Sequence, residues 1–191
     1  MVNIIIFGAP GSGKGTQSER IIEKYKFTHI PTGDILRKEI SLGTDLGKIA
    51  NERISRGKLV PDDLIIEMLE KELIQIEGNS KGVIFDGFPR TVEQAAALKK
   101  MLEKRGEKIA VMLNLEVERE ELINRLLKRG KTSGRSDDNL ETIEQRLKVY
   151  ENITSPVIDF YIKEGCHHNL KTVGTIEAIF SDIEKIIDGV V

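Results

Sequence analysis

The chain has 191 residues, of which 31% are charged and 39% are hydrophobic, and its formal net charge is −2. This length and composition favour one soluble globular domain, residues 1–191, that can bury a core. The near-neutral charge argues against general binding of nucleic acid, and no apolar run approaches the roughly 20 residues of a membrane span.

The first predicted element is a short apolar strand that ends at Gly8 and leads into a glycine-rich loop. Because this strand already begins at Val2, we expect no signal peptide. In the loop, Gly8 is followed after four residues by Gly13 and Lys14, which is the phosphate-binding spacing. Glycines let backbone N–H groups surround an anion, the next helix adds the positive end of its dipole, and the lysine supplies a mobile charge. A glycine-rich hairpin before an ordinary helix is the alternative.

The hydroxyl residue that usually follows this lysine is displaced by one position. Gly15 stands in its place and Thr16 comes next. The sequence therefore does not predict the Mg²⁺ contact that this position usually makes. The helical pattern that starts here continues to Tyr25.

A small helical insertion is predicted at residues 31–60, where the chain is polar, punctuated by glycine and without a long buried strand. The predicted pieces around it are a strand at 27–30, a turn at 31–37 in which Asp34 caps a helix, a helix at 45–56 closed by Gly57, and a helix from Asp62 to about residue 77.

Strands and helices continue to alternate, which predicts an α/β fold with a parallel five-stranded sheet flanked by helices. The strand at 109–115 is almost wholly apolar, as a sheet covered on both faces requires. The stretch 130–138 is the loosest in the chain, and the long helix after it is predicted to bend near Pro156. The predicted elements are strands at 82–86, 109–115 and 167–173, and helices at 91–105, 118–129, 140–163 and 176–187.

Several single residues carry weaker signals. A proline in a tight turn predicts a cis bond between Phe88 and Pro89. The one cysteine, Cys166, excludes an internal disulfide and a four-cysteine zinc site, and it favours a reducing cytoplasm. The three histidines are interpreted as structural or surface residues: His29, His167 and His168.

The arginines suggest chemistry on phosphates, because a guanidinium is always charged and binds phosphate in a fork. Several lie at loop–helix junctions or beside glycine: Arg37, Arg90, Arg129 and Arg135. Arg125 and Arg129 share a helix face at i,i+4 spacing. The alternative for these two is a solvated face on which Glu121 pairs with Arg125.

Five segments in order resemble the successive signatures of adenylate kinases. They are Gly-Ala-Pro-Gly-Ser-Gly-Lys-Gly-Thr-Gln (8–17), Pro-Thr-Gly-Asp-Ile-Leu-Arg (31–37), Gly-Lys-Leu-Val-Pro (57–61), Asp-Gly-Phe-Pro-Arg-Thr-Val-Glu-Gln (86–94) and Gly-Arg-Ser-Asp-Asp (134–138). The resemblance runs from Val2 to the final helix, and it is closest to the form with a short lid, here 129–138. It implies a P-loop NTPase-type sheet, with residues 31–60 as an AMP-binding insertion.

The resemblance also implies an activity: reversible, Mg²⁺-dependent transfer of the terminal phosphoryl group of ATP to AMP, giving two ADP and serving adenine nucleotide homeostasis. ATP would be held by Gly11, Ser12, Gly13, Lys14, Gly15, Thr16, Arg125, Arg129 and the backbone near Ile176. AMP would be held by Thr32, Gly33, Arg37, Lys58, Leu59, Val60, Gly87, Phe88, Pro89, Arg90, Gln94, Arg135 and Arg146. Lys14, Arg90, Arg129, Arg135 and Arg146 would act on the transferring phosphates.

Asp86 would orient Mg²⁺ through water, with no direct protein ligand. The lid segment 131–138 contains neither cysteine nor histidine, which excludes a lid zinc site. Asp137 and Asp138 are interpreted either as helix caps or as a clamp on the lid. No side-chain base is expected, because positioning and charge neutralisation can carry the chemistry.

Other functions remain as alternatives. A kinase for UMP and CMP would not be expected to show Thr32 and Gln94 together. The alternative for Gln94 is an ordinary surface residue. A GTPase-like switch needs a guanine-reading Asn-Lys-x-Asp run, which the chain lacks. An inert ATP-binding scaffold would not need the second set of cations. No oligomer signal is evident, so a monomer without nucleic-acid or membrane partners is expected.

Overall fold

The computed structural model describes residues 1–76 and 80–191. Within these residues one five-stranded sheet forms, and every neighbouring pair of strands is parallel. The strands are β1 (Val2–Gly8), β2 (Thr28–Pro31), β3 (Gly82–Asp86), β4 (Ile109–Glu116) and β5 (His167–Lys171). Their order across the sheet is β2-β3-β1-β4-β5, which confirms the predicted architecture.

Helices cover both faces of this sheet. They are α1 (Lys14–Tyr25), α2 (Thr32–Leu42), α3 (Asp45–Ile54), α4 (Asp62–Ile76), α5 (Val92–Lys104), α6 (Arg119–Ser133), α7 (Leu140–Val149), α8 (Pro156–Lys163) and α9 (Ile176–Asp188). None of the described helices has the length and apolar character needed to cross a bilayer.

The central strand β1 explains why the sheet is buried on both sides. Successive side chains of a strand point to opposite faces. Ile4 and Ile6 belong to the core cluster that includes α1 and α9, whereas Ile5 and Phe7 belong to the cluster that includes α4, α5 and α8. Burying both faces fixes the strand, and so it fixes the position of the loop that follows Gly8.

Most predicted elements agree with the structure to within a few residues at each end, but the lid region differs. Helix α6 runs on to Ser133 instead of ending at Arg129. It ends where Gly134 takes a left-handed conformation with φ 63°. Gly130, the first residue of the stretch predicted to be loose, lies inside the helix, and a Cβ there would stand 2.6 Å from the Asp138 carbonyl oxygen. The glycine therefore allows a close approach of chain segments.

Two further expectations need correction or refinement. Asp34 is not a helix cap, because α2 already starts at Thr32 and Asp34 lies in its first turn. The predicted irregularity near Pro156 is present as a π-helical turn at Tyr150–Thr154, after which α8 begins at the proline. Proline suits that position because its missing N–H would have no partner there. The predicted end of α4 at residue 77 lies outside the described residues.

Candidate active site

A cleft of about 560 Å³ opens where β1 and β3 end, at the edge of a parallel sheet where ligands usually bind. All of the residues that the sequence analysis assigned to ATP, AMP, Mg²⁺ or catalysis line it. They come from the loop after β1 and the start of α1, the insertion, the end of β3 and the loop after it, helices α5, α6, α7 and α9, and the segment between α6 and α7. One concave site thus gathers residues from distant parts of the chain.

The loop between β1 and α1 requires glycine at particular positions. Gly13 has φ 96° and ψ 10°, a left-handed conformation that other residues rarely adopt. A Cβ on Gly8 would stand 2.6 Å from the carbonyl oxygen of Leu115 and 2.7 Å from the Ser12 hydroxyl. The backbone can therefore pack closely here and leave the first turn of α1 open to an anion.

Lys14 lies folded back over this loop. Its Nζ donates to the carbonyl oxygens of Gly8 and Ala9, at 2.7 Å and 3.0 Å. Burial lowers the pKa of Lys14 to about 8, an effect that Asp86 opposes and that the charges of nearby arginines increase. The ammonium group is thus poorly solvated and its two hydrogen bonds go to neutral carbonyl oxygens, so an incoming phosphate would stabilise it.

The loop after β3 presents a second cation. Arg90 donates from Nε to the Gly87 carbonyl oxygen at 2.7 Å. Burial, and next the charge of Arg146, lower the pKa of Arg90 to about 10. A Cβ on Gly87 would stand 3.1 Å from Arg90 Nη2, so glycine leaves room for this side chain. The Phe88–Pro89 bond is cis, as predicted.

The insertion contributes Arg37, whose guanidinium pairs with Asp34. Asp34 also lies 3.5 Å from Arg135 Nη2, so one carboxylate joins the insertion to the lid segment. Burial, followed by the charge of Arg37, lowers the pKa of Arg135. The role of Asp34 is therefore to hold two cations that face the cleft.

Asp138 acts as a clamp on two arginines, which resolves the choice that the sequence left open. Its side chain is fully buried, and it accepts hydrogen bonds from Arg129 Nε at 2.7 Å and Arg146 Nη1 at 3.0 Å. Asp137 lies 2.8 Å from Arg146 Nη1, while Asn139, not either aspartate, caps α7. Burial alone would raise the pKa of Asp138, but Arg129 and then Arg146 hold it below 3.8.

The surface interpretation of Gln94 is wrong. The residue is 2% exposed and lines the cleft. Arg125 lines the cleft as well, but it pairs with Glu121 at 2.7 Å on a partly exposed face. Its position is therefore compatible both with ATP binding and with a solvated ion pair.

Two residues at the ends of the cleft offer polar atoms. Thr32 is 2% exposed, and its hydroxyl has no hydrogen-bond partner among the described residues, which suits a bound ligand. At the far end, Gln17 Nε2 donates to the Ile176 carbonyl oxygen at 3.2 Å. Sequence reasoning missed this role of Gln17, which a polar residue on the buried face of α1 could have signalled.

The residues around Asp86 fit a hydrated Mg²⁺ beside phosphates. Asp86 lies at the end of β3, 3.3 Å from His29 Nε2. Burial would raise the pKa of Asp86, but the His29 hydrogen bond and the Lys14 charge hold it below 3.8, so a carboxylate faces the cleft. The buried Ser12 hydroxyl lacks a partner within the described part of the chain. Among those residues, no three His, Cys, Asp or Glu side chains group as metal ligands.

Comparison with known proteins agrees with this geometry. A family model described as adenylate kinase matches residues 6–166. The chain is 59% identical to an adenylate kinase of Parabacteroides distasonis over 190 residues, which covers 100% of both chains. It is 57% identical to one of Bacteroides thetaiotaomicron over 188 residues, covering 98% of this chain and 99% of the relative. It is 54% identical to one of Porphyromonas gingivalis, covering 98% and 96%.

Proposed function

The chain belongs to the adenylate kinase family and transfers the terminal phosphoryl group of ATP to AMP to give two ADP, and from this premise we propose which residues carry the reaction. The observation that carries the proposal is the closeness of two sets of cations. After the larger effect of burial, the charges of Arg90, Arg146 and Arg129 all lower the pKa of Lys14. Arg129 from the donor side and Arg146 from the acceptor side also bind the same carboxylate, Asp138, and Lys14 and Arg90 line the same cleft.

We propose that the loop from Gly11 to Thr16 holds the ATP phosphates and that Lys14 leaves the loop carbonyls to bind the outer ones. Arg125 and Arg129 lie on the same side of the cleft. The backbone at Ile176, steadied by Gln17, contacts the adenine of ATP. Because Lys14 is poorly solvated before ATP arrives, the exchange of neutral oxygens for phosphate oxygens is favourable.

AMP takes the opposite side of the cleft. Arg37 and Arg90 bind its phosphate, and Gln94 reads its base. The remaining acceptor contacts come from Thr32, Gly33, Lys58, Leu59, Val60, Gly87, Phe88 and Pro89. Arg135 and Arg146 reach the transferring group from the lid segment and the core.

The chemistry needs positioned charge more than a base. The AMP phosphate is already ionised, and the transition state spreads negative charge over the oxygens of the moving group. Mg²⁺, held through water by Asp86, would add charge neutralisation between the phosphates. The buried, free Cys166 supports a reducing cytoplasm, and we propose that the enzyme acts there as a monomer.

We expect residues 31–60 and 129–138 to close over the substrates and expel water. Arg37 and Arg135 lie in these segments, and their shared partner Asp34 supports a coupled movement. An analogue that joins two adenosines through a phosphate chain should protect both segments from hydrogen exchange, with residues 109–116 as the internal reference. Unchanged exchange in both segments would argue against mobile lids.

The acceptor assignment is tested by substrate choice. A glutamine amide offers a donor and an acceptor that match the amino group and ring nitrogen of adenine, whereas uracil presents a carbonyl and an N–H. We expect AMP to be used more than tenfold better than UMP or CMP, because a mismatched base leaves buried polar groups unpaired. Gln94→Leu should raise KM for AMP about tenfold and leave KM for ATP unchanged. Comparable kcat/KM for UMP and AMP would favour a UMP/CMP kinase instead.

A further inference from the structure

The amide of Gln94 is held at both ends by the protein itself. Its Nε2 donates to Asp62 Oδ1 at 2.8 Å, and its Oε1 accepts from the backbone N–H of Arg90 at 2.7 Å. Asp62 is held in turn by Thr91, whose hydroxyl donates to Asp62 Oδ2 at 2.7 Å. Asp62 lies behind Gln94, outside the set of described residues that line the cleft.

This network permits only one orientation of the amide. A carboxylate oxygen accepts hydrogen bonds and a backbone N–H donates them, so neither partner tolerates exchange of the oxygen and nitrogen of Gln94. In the exchanged orientation, Oε1 would face the Asp62 carboxylate and the NH₂ group would face the Arg90 N–H. These two bonds use one N–H of Nε2 and one lone pair of Oε1. The second N–H and the second lone pair are left for a bound base.

The fixed orientation matters because a freely rotating glutamine cannot distinguish adenine from a 6-oxopurine. In one orientation the amide oxygen accepts from the adenine amino group and the amide N–H donates to the ring nitrogen. After a half-turn the same amide donates to a 6-oxo group and accepts from the ring N–H. A base-reading glutamine therefore selects between these purines only if something else sets its orientation.

We propose that Asp62 is a specificity-determining positioning residue, which orients Gln94 so that the acceptor site takes 6-aminopurine and rejects 6-oxopurine monophosphates. This inference rests on the proposed reading of AMP by Gln94. Asp62 touches neither substrate. It acts through Gln94, with the Arg90 N–H as the second fixed point.

The test compares AMP with IMP as acceptors, using Asp62→Ala. Without the carboxylate, the exchanged orientation loses its largest penalty, and we expect the AMP/IMP ratio of kcat/KM to fall at least about tenfold. KM for AMP should rise, KM for IMP should fall, and KM for ATP should stay the same. A variant that is merely less stable would lose turnover of both acceptors equally and leave the ratio intact.

Two variants serve as controls. Asp63 is the exposed neighbour in the same first turn of α4, so Asp63→Ala removes a similar helix-end charge and should leave the ratio unchanged. Asp62→Asn controls for the volume of the side chain. With Thr91 still donating to its Oδ1, the new NH₂ group faces Gln94 and favours the exchanged orientation, so the ratio should fall here too.

The possible outcomes distinguish the role of Asp62 from the reading of the AMP base by Gln94. If Gln94→Leu abolishes the preference for AMP over IMP and Asp62→Ala does not change it, the role of Asp62 is overturned while the reading by Gln94 stands. If Gln94→Leu keeps the wild-type ratio, or the wild type shows no preference, both are overturned. A ratio that falls in Asp62→Ala and Asp62→Asn and persists in Asp63→Ala supports the proposal.

Discussion

Lys14→Met is expected to lower kcat/KM at least about a hundredfold, the loss typical when one group that stabilises developing charge is removed. Methionine keeps the length and apolar stem of lysine but carries no charge. In the free protein the Lys14 ammonium donates to the backbone carbonyl oxygens of Gly8 and Ala9, and the methionine stem can still fill its place, so the loop should not unfold. Steady-state kinetics with ATP and AMP, together with thermal melting, measures both effects.

The matched control is Lys24→Met, the same substitution in the same helix α1. Lys24 is exposed and pairs with Glu184 at 3.0 Å on the surface, where such a pair contributes little. Its activity should remain near wild type. If Lys14→Met keeps more than about a tenth of wild-type kcat/KM, a loss under roughly 1.4 kcal/mol, the role given to Lys14 is wrong.

Titration of Lys14 supplies a second readout of the same role. Its pKa of about 8 lies below the ordinary 10.5, so the free protein loses the ammonium charge as pH rises through 8. ATP favours the charged lysine, and above pH 8 its binding must be accompanied by uptake of a proton. The affinity for ATP should therefore weaken with rising pH, and calorimetry should find this slope reduced in Lys14→Met.

The strand, glycine-rich loop and helix at 2–25 could be predicted from the sequence because every signal for them is local. The apolar strand, the glycine spacing, Lys14 and the following helix occupy adjacent positions, and burial of β1 on both faces fixes where they lie. The cis bond before Pro89 has a similarly local signal in the tight turn. Such features need no knowledge of distant partners.

Features that depend on distant partners could not be predicted in this way. The residues around Asp62 do not indicate that its carboxylate will accept a hydrogen bond from Gln94, 32 positions further along. From the sequence, Asp62 marks only the start of a helix. A carboxylate directly after the Lys-Leu-Val-Pro segment is the one signal that could have drawn attention to it.

The lid region shows the same limit. The sequence predicts that the helix ends at Arg129, before the loose stretch 130–138, but it continues through Gly130, where the Asp138 backbone approaches closely. The clamp by Asp138 joins arginines from two helices, and only their approach in space distinguishes a clamp from a helix cap. Local propensity gave the wrong answer where a long-range contact decides the structure.

Arg90→Met should lower kcat/KM about a thousandfold, roughly 4 kcal/mol of transition-state stabilisation, as expected for an arginine that holds the accepting phosphate at the reaction centre. The free energy of unfolding of the variant should not fall along with its activity. Burial and the charges of Arg146 and Arg37 already lower the pKa of Arg90 to about 10, which shows that its charge is poorly accommodated before phosphate binds. Melting temperature should therefore stay the same or rise while activity falls.

Two variants distinguish a specific role of Arg90 from a general effect of positive charge. Arg90→Lys keeps the charge but loses the planar fork that binds two phosphate oxygens, so we expect it to recover only a small part of the lost activity. Arg119→Met removes an exposed arginine that pairs with Glu151 at 2.8 Å, and its activity should match wild type.

Full activity in Arg90→Lys would reduce the role of Arg90 to charge alone. Near-normal activity in Arg90→Met would remove it from the catalytic set, because the remaining arginines would then suffice to bind the transferring group.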